Sequence, residues 1–154
     1  MFSLLTTAWT IISCIVSNPN TLLPYQSEVL ELVNEQRSKG CKCGTDSMPP
    51  RLPLRWNVKI AQAALEHARY MHRNALLSHS DGNGQRADKR LKKAGYIWQV
   101  FAENVGGGYD TPQDIFMAWR DSPAHCKNLM GNYEETAIVK FGDYWVQNLA
   151  TQKY

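Results

Sequence analysis

Apolar residues fall along this chain in three patterns: one unbroken block at the start, several helical stripes, and a late stretch that is apolar on both sides. The block runs from Met1 to Val16, where every residue is apolar or hydroxylic, and Ser17-Asn18-Pro19-Asn20 follows as a breaker. Glu28 is the first charged side chain. An apolar core followed by an exit turn predicts an export segment over residues 1–20, although the usual n-region Lys or Arg is missing. Ile11-Ile12-Ser13-Cys14 also has the form of a degenerate lipobox, in which Cys14 would be the lipidated first residue. Either reading places the body outside the cytoplasm, in a secreted or cell-envelope setting where disulfides persist.

The helical stripes come next. Tyr25, Val29, Leu32 and Val33 recur at helical spacing, and Lys39-Gly40 closes that run with a cation and a glycine. Cys41 to Pro53, with one glycine and three prolines, reads as loop. Asn57 then caps a helix whose Ile60, Ala61, Ala64, Leu65, Ala68 and Met71 share one broad face. His67 falls on that face as a packed, hydrogen-bonded histidine, and His72 points elsewhere, so the two cannot form an i, i+4 metal pair. Asp81-Gly82-Asn83-Gly84 is a turn, after which Arg86, Lys89, Arg90, Lys92 and Lys93 crowd a short helix. Such a run reads as a solvated face, or less simply as a membrane headgroup contact. Thr111-Pro112-Gln113-Asp114 reads as a capping box opening a helix through Trp119, and Ser122-Pro123 repeats the device for a short helix ending near Gly131.

The two-sided stretch is last. Val139 to Phe141, the Gly142-Asp143 turn and Tyr144 to Ala150 predict a hairpin, and Ile97 to Val105 a third strand of the same character. Strands without a polar face need cover on both sides. Helices before, between and after them give an α+β fold, an α-β-α sandwich with a small antiparallel sheet covered on both faces. Residues 24–152 form the one domain. At +3 the net charge is too small and too scattered for a nucleic-acid binder, and no later segment is apolar for the roughly 20 residues a membrane span needs.

Four cysteines bear on this setting. With Cys14 removed or lipidated, Cys41, Cys43 and Cys126 allow one bridge and one spare thiol. A Cys41 to Cys43 bond would close a strained ring, so one of these two is expected to pair with Cys126. A zinc site from Cys41, Cys43, His125 and Cys126 is the competing reading, with tighter spacing than the usual knuckle.

Three titratable residues stand at element ends, where segments converge: His79 in Ser78-His79-Ser80, Glu103 in Ala102-Glu103-Asn104, and His125 in the first turn of the helix after Ser122. Two neutral imidazoles and a carboxylate suit a borderline divalent cation such as zinc. The helix N-terminus is expected to keep His125 neutral.

The segments Leu32-Val33-Asn34-Glu35-Gln36-Arg37, Leu54-Arg55-Trp56-Asn57, His67-Ala68-Arg69-Tyr70-Met71, Ser78-His79-Ser80, Ala102-Glu103-Asn104-Val105, Trp119 to Cys126 and Tyr144-Trp145-Val146-Gln147 resemble the CAP superfamily in order and spacing. That superfamily holds the cysteine-rich secretory proteins, antigen 5 and pathogenesis-related proteins, and its unit is also called the SCP domain. The likeness spans about residues 25 to 150 and is greatest to compact bacterial-type members. It implies an α-β-α sandwich, an exported protein and a His, Glu, Glu, His cleft. His79 matches the first histidine, Glu103 the first glutamate and His125 the second histidine, while Ser122 stands at the second glutamate. The motif glycine is Ala102, and Ala137-Ile138-Val139 replaces the usual start of the late strand. The resemblance also implies a Cys43 to Cys126 bridge, with Cys41 spare.

Two functions follow as expectations. One is an exported binding module for a lipid, glycan or partner protein, with the metal cleft aiding recognition, and a monomer as the expected state; a membrane would be met only through a lipid anchor or an uncleaved N-terminal segment. The other is a metal-assisted peptidase or esterase in which Glu103 activates metal-bound water. A serine hydrolase built on Ser78, Ser80 or Ser122 is disfavoured because serines adjacent to a histidine rarely align with it and Ser122 is better explained as a helix cap. Gly106-Gly107-Gly108 lacks the flanking residues of a phosphate loop.

Overall fold

The computed structural model describes residues 21–154, so the export segment expected over residues 1–20, with Cys14, lies outside the described residues. The first helix, α1 (Pro24–Lys39), opens with proline at its first turn, and the Gln26 side chain accepts from the Leu23 N–H at 2.8 Å. Val29 and Val33 are fully buried, and Gly40 ends the helix at φ 72°. A side chain at position 40 would meet the Met48 carbonyl at 2.8 Å, so the chain turns there only because glycine has no Cβ.

The next segment corrects the loop expected from Cys41 to Pro53. β1 (Cys41–Cys43) and β2 (Asp46–Met48) form a small antiparallel hairpin around Gly44, and β3 (Arg55–Trp56) follows. Helix α2 (Val58–Asn74) starts where Asn57 accepts from the Lys59 and Ile60 N–H groups at 2.9 and 3.3 Å. α3 (Ala87–Lys93), β4 (Trp98–Gly107), α4 (Pro112–Asp121) and α5 (Pro123–Leu129) precede the long hairpin of β5 (Glu135–Phe141) and β6 (Tyr144–Gln152). Thr111 caps α4 through the Asp114 N–H at 3.1 Å, as expected. Ser122 occupies the cap position of α5 but its side chain makes no cap bond, so proline at the first turn starts that helix without the hydroxyl.

The main sheet runs β3-β5-β6-β4. The β4, β6 and β5 pairings are antiparallel, and the two-residue β3 joins β5 in parallel at one edge. Central β6 is buried from Trp145 to Ala150, which explains its lack of a polar face. Alternation along it divides the core. Trp145 and Leu149 pack with Val29, Val33, Ile115 and Trp119 from α1 and α4, while Val146 and Ala150 meet the α2 and α3 side through Ala64, Ala68, Ile60 and Leu91. The fold is thus α+β, a sheet with helices on both faces. Each large apolar side chain buried in these layers contributes roughly 1.5–3 kcal/mol.

The other edge strand, β4, positions the site. Successive side chains of a strand point to opposite faces. Glu103 therefore faces the α2 and α3 layer, and Asn104 faces the layer that contains α5, so one dipeptide touches both sides of the sandwich at its open edge.

Candidate functional site

Glu103 is buried and both of its carboxylate oxygens are engaged. Oε1 accepts from His79 Nδ1 at 3.0 Å, and Oε2 accepts from the Arg90 guanidinium at 2.6 Å. The Arg90 and Glu103 side chains are 3% and 5% exposed, so this ion pair sits in a low-dielectric setting while the His79 side chain is 44% exposed. Arg90 also donates to the carbonyls of Gln85 and His79, tying the turn before α3 to the site.

Arg90 corrects the reading of Arg86 to Lys93 as a wholly solvated face. Ala87, Arg90 and Leu91 are buried on one side of α3, at spacings of three and four residues. That stripe is the signal in the sequence: the cation standing between two small or apolar neighbours is the one that goes inside.

On the other side of β4, the Asn104 amide donates to the His125 carbonyl at 3.4 Å and to Gln147 Oε1 at 3.0 Å. Asn128, one turn after His125, donates to Asn104 Oδ1 at 2.8 Å and to the Glu103 carbonyl at 3.3 Å. These bonds fasten α5 to the strand that carries Glu103, and so hold His125 near His79 from the opposite layer. Burial lowers the His125 pKa and the neighbouring His79 lowers it further, so its neutral form is favoured. The direction is the expected one, but the causes are burial and a second imidazole. His67 is fully buried, its Nε2–H donates to the Ser78 carbonyl at 2.6 Å, and burial lowers its pKa as well. It is the packed histidine expected, and it braces the segment carrying His79.

Two hollows flank this edge. One of about 360 Å³ is lined by His79, Arg86, Phe101, Glu103, Asn128 and Tyr133. The other, about 260 Å³, is lined by Leu77, Val105, Tyr109, Trp119, Ser122 and His125. The structure brings His79 and Glu103 into direct contact and sets His125 on the neighbouring wall. Among the described residues, the one group of three or more His, Cys, Asp or Glu side chains with donor atoms all within 4.8 Å is Cys41, Cys43 and Cys126. Glu103 is therefore a partner of His79 here, and the three expected ligands do not converge as a set. Cys43 and Cys126 form a disulfide, and Cys41 is the spare thiol.

A larger hollow, about 510 Å³, lies away from this edge, beside Pro50, Arg51 and Tyr133. Its Arg37 is 1% exposed and donates to the carbonyls of Leu52, Leu129, Gly131 and Tyr133. Desolvation and the nearby Arg51 lower its pKa to about 10. A guanidinium spent on four carbonyls is a staple between α1 and the two loops it faces.

Comparison with known proteins places these features. The family model described as the cysteine-rich secretory protein family, CAP, matches residues 30–149. A curated relative, the uncharacterized protein YkwD of Bacillus subtilis, is 25% identical over 135 residues, which is 85% of this chain and 49% of that protein. The chain thus spans about half the length of the curated relative it matches. An extracellular protein containing an SCP domain from Bacillus anthracis superposes with a TM-score of 0.72 at 21% identity, over 86% of this chain and 45% of that one. An outer surface protein of Borrelia burgdorferi superposes with a TM-score of 0.65 at 18% identity, over 82% of this chain and 89% of that one. At such identities the superpositions establish the fold.

Proposed function

The chain belongs to the cysteine-rich secretory protein family, and from that premise we propose that it is an exported binding module whose open sheet edge holds a divalent cation, zinc foremost, between His79 and His125. Lipid, glycan or partner protein would bind along the two flanking hollows. The polar hollow, with Phe101 and Tyr133 beside His79 and Asn128, suits a glycan or a polar peptide better than a lipid tail. The export reading is supported by the extracellular and outer-surface descriptions of the structural neighbours. Among the described residues, no helix is long and apolar enough to cross a membrane.

The donor set fits a cation in part. A metal-bound imidazole commonly donates its other ring N–H to a carboxylate, which fixes the tautomer and the ring orientation. His79 has that arrangement: its Nδ1–H is held by Glu103, which leaves Nε2 as the electron-pair donor. The lowered pKa of His125 keeps a second imidazole in the neutral, ligating form. Glu103 itself is turned away from this role by Arg90, and Ser122 stands where the family places its second carboxylate. A cation bound there would act as a Lewis-acidic anchor for ligand oxygens.

The observation that carries the preference for binding over catalysis is the Glu103 carboxylate. A general base must come within hydrogen-bond reach of the proton it takes. The Glu103 side chain is 5% exposed, and each of its oxygens already accepts a bond, one from a buried guanidinium, so little of the carboxylate faces a substrate. Purified protein titrated with zinc, beside a His79→Ala, His125→Ala double variant, tests the reading. Binding by the natural chain, loss of it in the double variant and no turnover of peptides or esters are expected. Metal-dependent ester or peptide hydrolysis that disappears in Glu103→Gln would reverse the assignment in favour of the hydrolase.

A further inference from the structure

The three cysteine sulfurs lie close together beside the middle of α5, where Cys126 meets β1. Cys41 Sγ is 3.8 Å from Cys43 Sγ and 3.7 Å from Cys126 Sγ. Cys41 and Cys43 are two residues apart on β1, so both side chains point the same way, toward the α5 residue Cys126. Cys43 and Cys126 are each 1% exposed, whereas Cys41 is half-buried and open to solvent on one side. Gly44, at φ 64°, turns the hairpin against Pro123 at the start of α5, which holds strand and helix in register.

The spare thiol sits beside the bridge at nearly equal distances from its two sulfurs. An in-line attack on one sulfur would instead place it much farther from the other, so this arrangement is a triangle of donors more than a poised exchange reaction. Burial holds the proton on Cys41 and pushes its thiol up, with the Arg120 guanidinium opposing. Zinc–thiolate bonds of about 2.3 Å put sulfurs at two corners of a tetrahedron about 3.8 Å apart. The two spacings from Cys41 already have this length.

We propose that reduction of the Cys43–Cys126 bridge converts Cys41, Cys43 and Cys126 into a three-thiolate site for zinc, separate from the histidine cleft. A dithiol reductant breaks the protein S–S bond and closes an S–S bond of its own, delivering two electrons and two protons to Cys43 and Cys126. Zinc then displaces three thiol protons to solvent and binds three sulfurs, with water entering from the open Cys41 side as the fourth ligand. His125 takes no part, because its ring lines the hollow beside Trp119 and Ser122. The same three residues thus hold the β1–β2 hairpin to α5 in two redox states, by a covalent bond in one and by a cation in the other.

Cobalt(II) serves as the optical probe, in a His79→Ala, His125→Ala background that removes cleft binding. The phosphine-reduced chain should show thiolate-to-cobalt charge-transfer absorption, with zinc displacing cobalt at one equivalent and the near-ultraviolet circular dichroism of the oxidised chain restored. Cys41→Ser should weaken cobalt binding by at least about a hundredfold, since even partners outside the ligand set are worth roughly 10–100-fold. The oxidised chain should show no such bands. Charge-transfer bands of equal strength and affinity in Cys41→Ser, or bands without recovery of the native dichroism, would overturn the proposal.

Discussion

Replacing Arg90 by Met leaves the carboxylate of Glu103 buried, with the His79 N–H as its remaining polar contact. Arg90 and Glu103 are 3% and 5% exposed at a separation of 2.6 Å, so neither charge is screened by solvent. Removing one partner of such a pair costs about 3–5 kcal/mol, because the surviving charge keeps its desolvation penalty and loses its compensation. The buried Arg90 Nε has no hydrogen-bond partner among the described residues, which places the expected loss toward the lower end of that range. For a domain of this size, a urea slope of about 1.5–2 kcal/mol per M turns a loss of about 3 kcal/mol into a midpoint lowered by about 1.5–2 M. Adding Glu103→Gln removes the orphaned charge and keeps an acceptor for His79, so the Arg90→Met, Glu103→Gln pair should recover more than half of that loss. Urea unfolding followed by tryptophan fluorescence on the natural chain, both single variants and the double variant closes the cycle. A loss under about 1 kcal/mol in Arg90→Met, or a double variant no more stable than that single one, would refute the claim that a buried ion pair organises the site.

Three further outcomes follow from the same geometry. The Cys43–Cys126 bridge closes a sequence separation of 83 residues, so a Cys43→Ala, Cys126→Ala variant should lose about 4–5 kcal/mol in thermal or urea unfolding; a loss below about 1 kcal/mol would show the chain-entropy argument does not hold here. His67 and His125 both have pKa values lowered in the fold from an ordinary 6.5. Below about pH 6.5 the unfolded chain therefore binds more protons, and stability present above that pH is lost as pH falls through the folded values. Unfolding midpoints from pH 8 to 5 should fall, and should fall less steeply in His67→Gln; an unchanged slope in that variant would exclude His67 as a source. Asn57→Ala removes the acceptor for two N–H groups at the start of α2 and should cost about 1 kcal/mol, measured by the same unfolding, with an unchanged midpoint counting against the cap.

Most helices were legible because each repeats a period that one buried face enforces, and the long strands because they are apolar on both sides. Ile60, Ala64, Ala68 and Met71 mark α2 without tertiary information, and the two-sided burial of β6 is visible in Trp145 to Ala150. The β1–β2 hairpin was not, since three-residue strands carry no period and Cys41 to Met48 holds few apolar residues to alternate. The parallel β3 was hidden for the same reason: two residues paired to β5 are a tertiary fact. At the site, position was legible and chemistry only partly so. The turn and cap signals place His79, Glu103 and His125 at converging ends, but nothing local says that Glu103 faces one helical layer and His125 stands in the other. The choice of Arg90 from five neighbouring cations depends on which face of α3 meets the sheet, and only the Ala87, Arg90, Leu91 spacing hinted at it.

The most direct test of the central claim is calorimetric titration of the oxidised chain with zinc at pH 7.5, run beside His79→Ala, His125→Ala and Glu103→Gln variants. One zinc per chain is expected, abolished by either histidine substitution and weakened about 10–100-fold by Glu103→Gln, which orients His79 without being a ligand. Undiminished zinc binding in the two histidine variants would contradict the account.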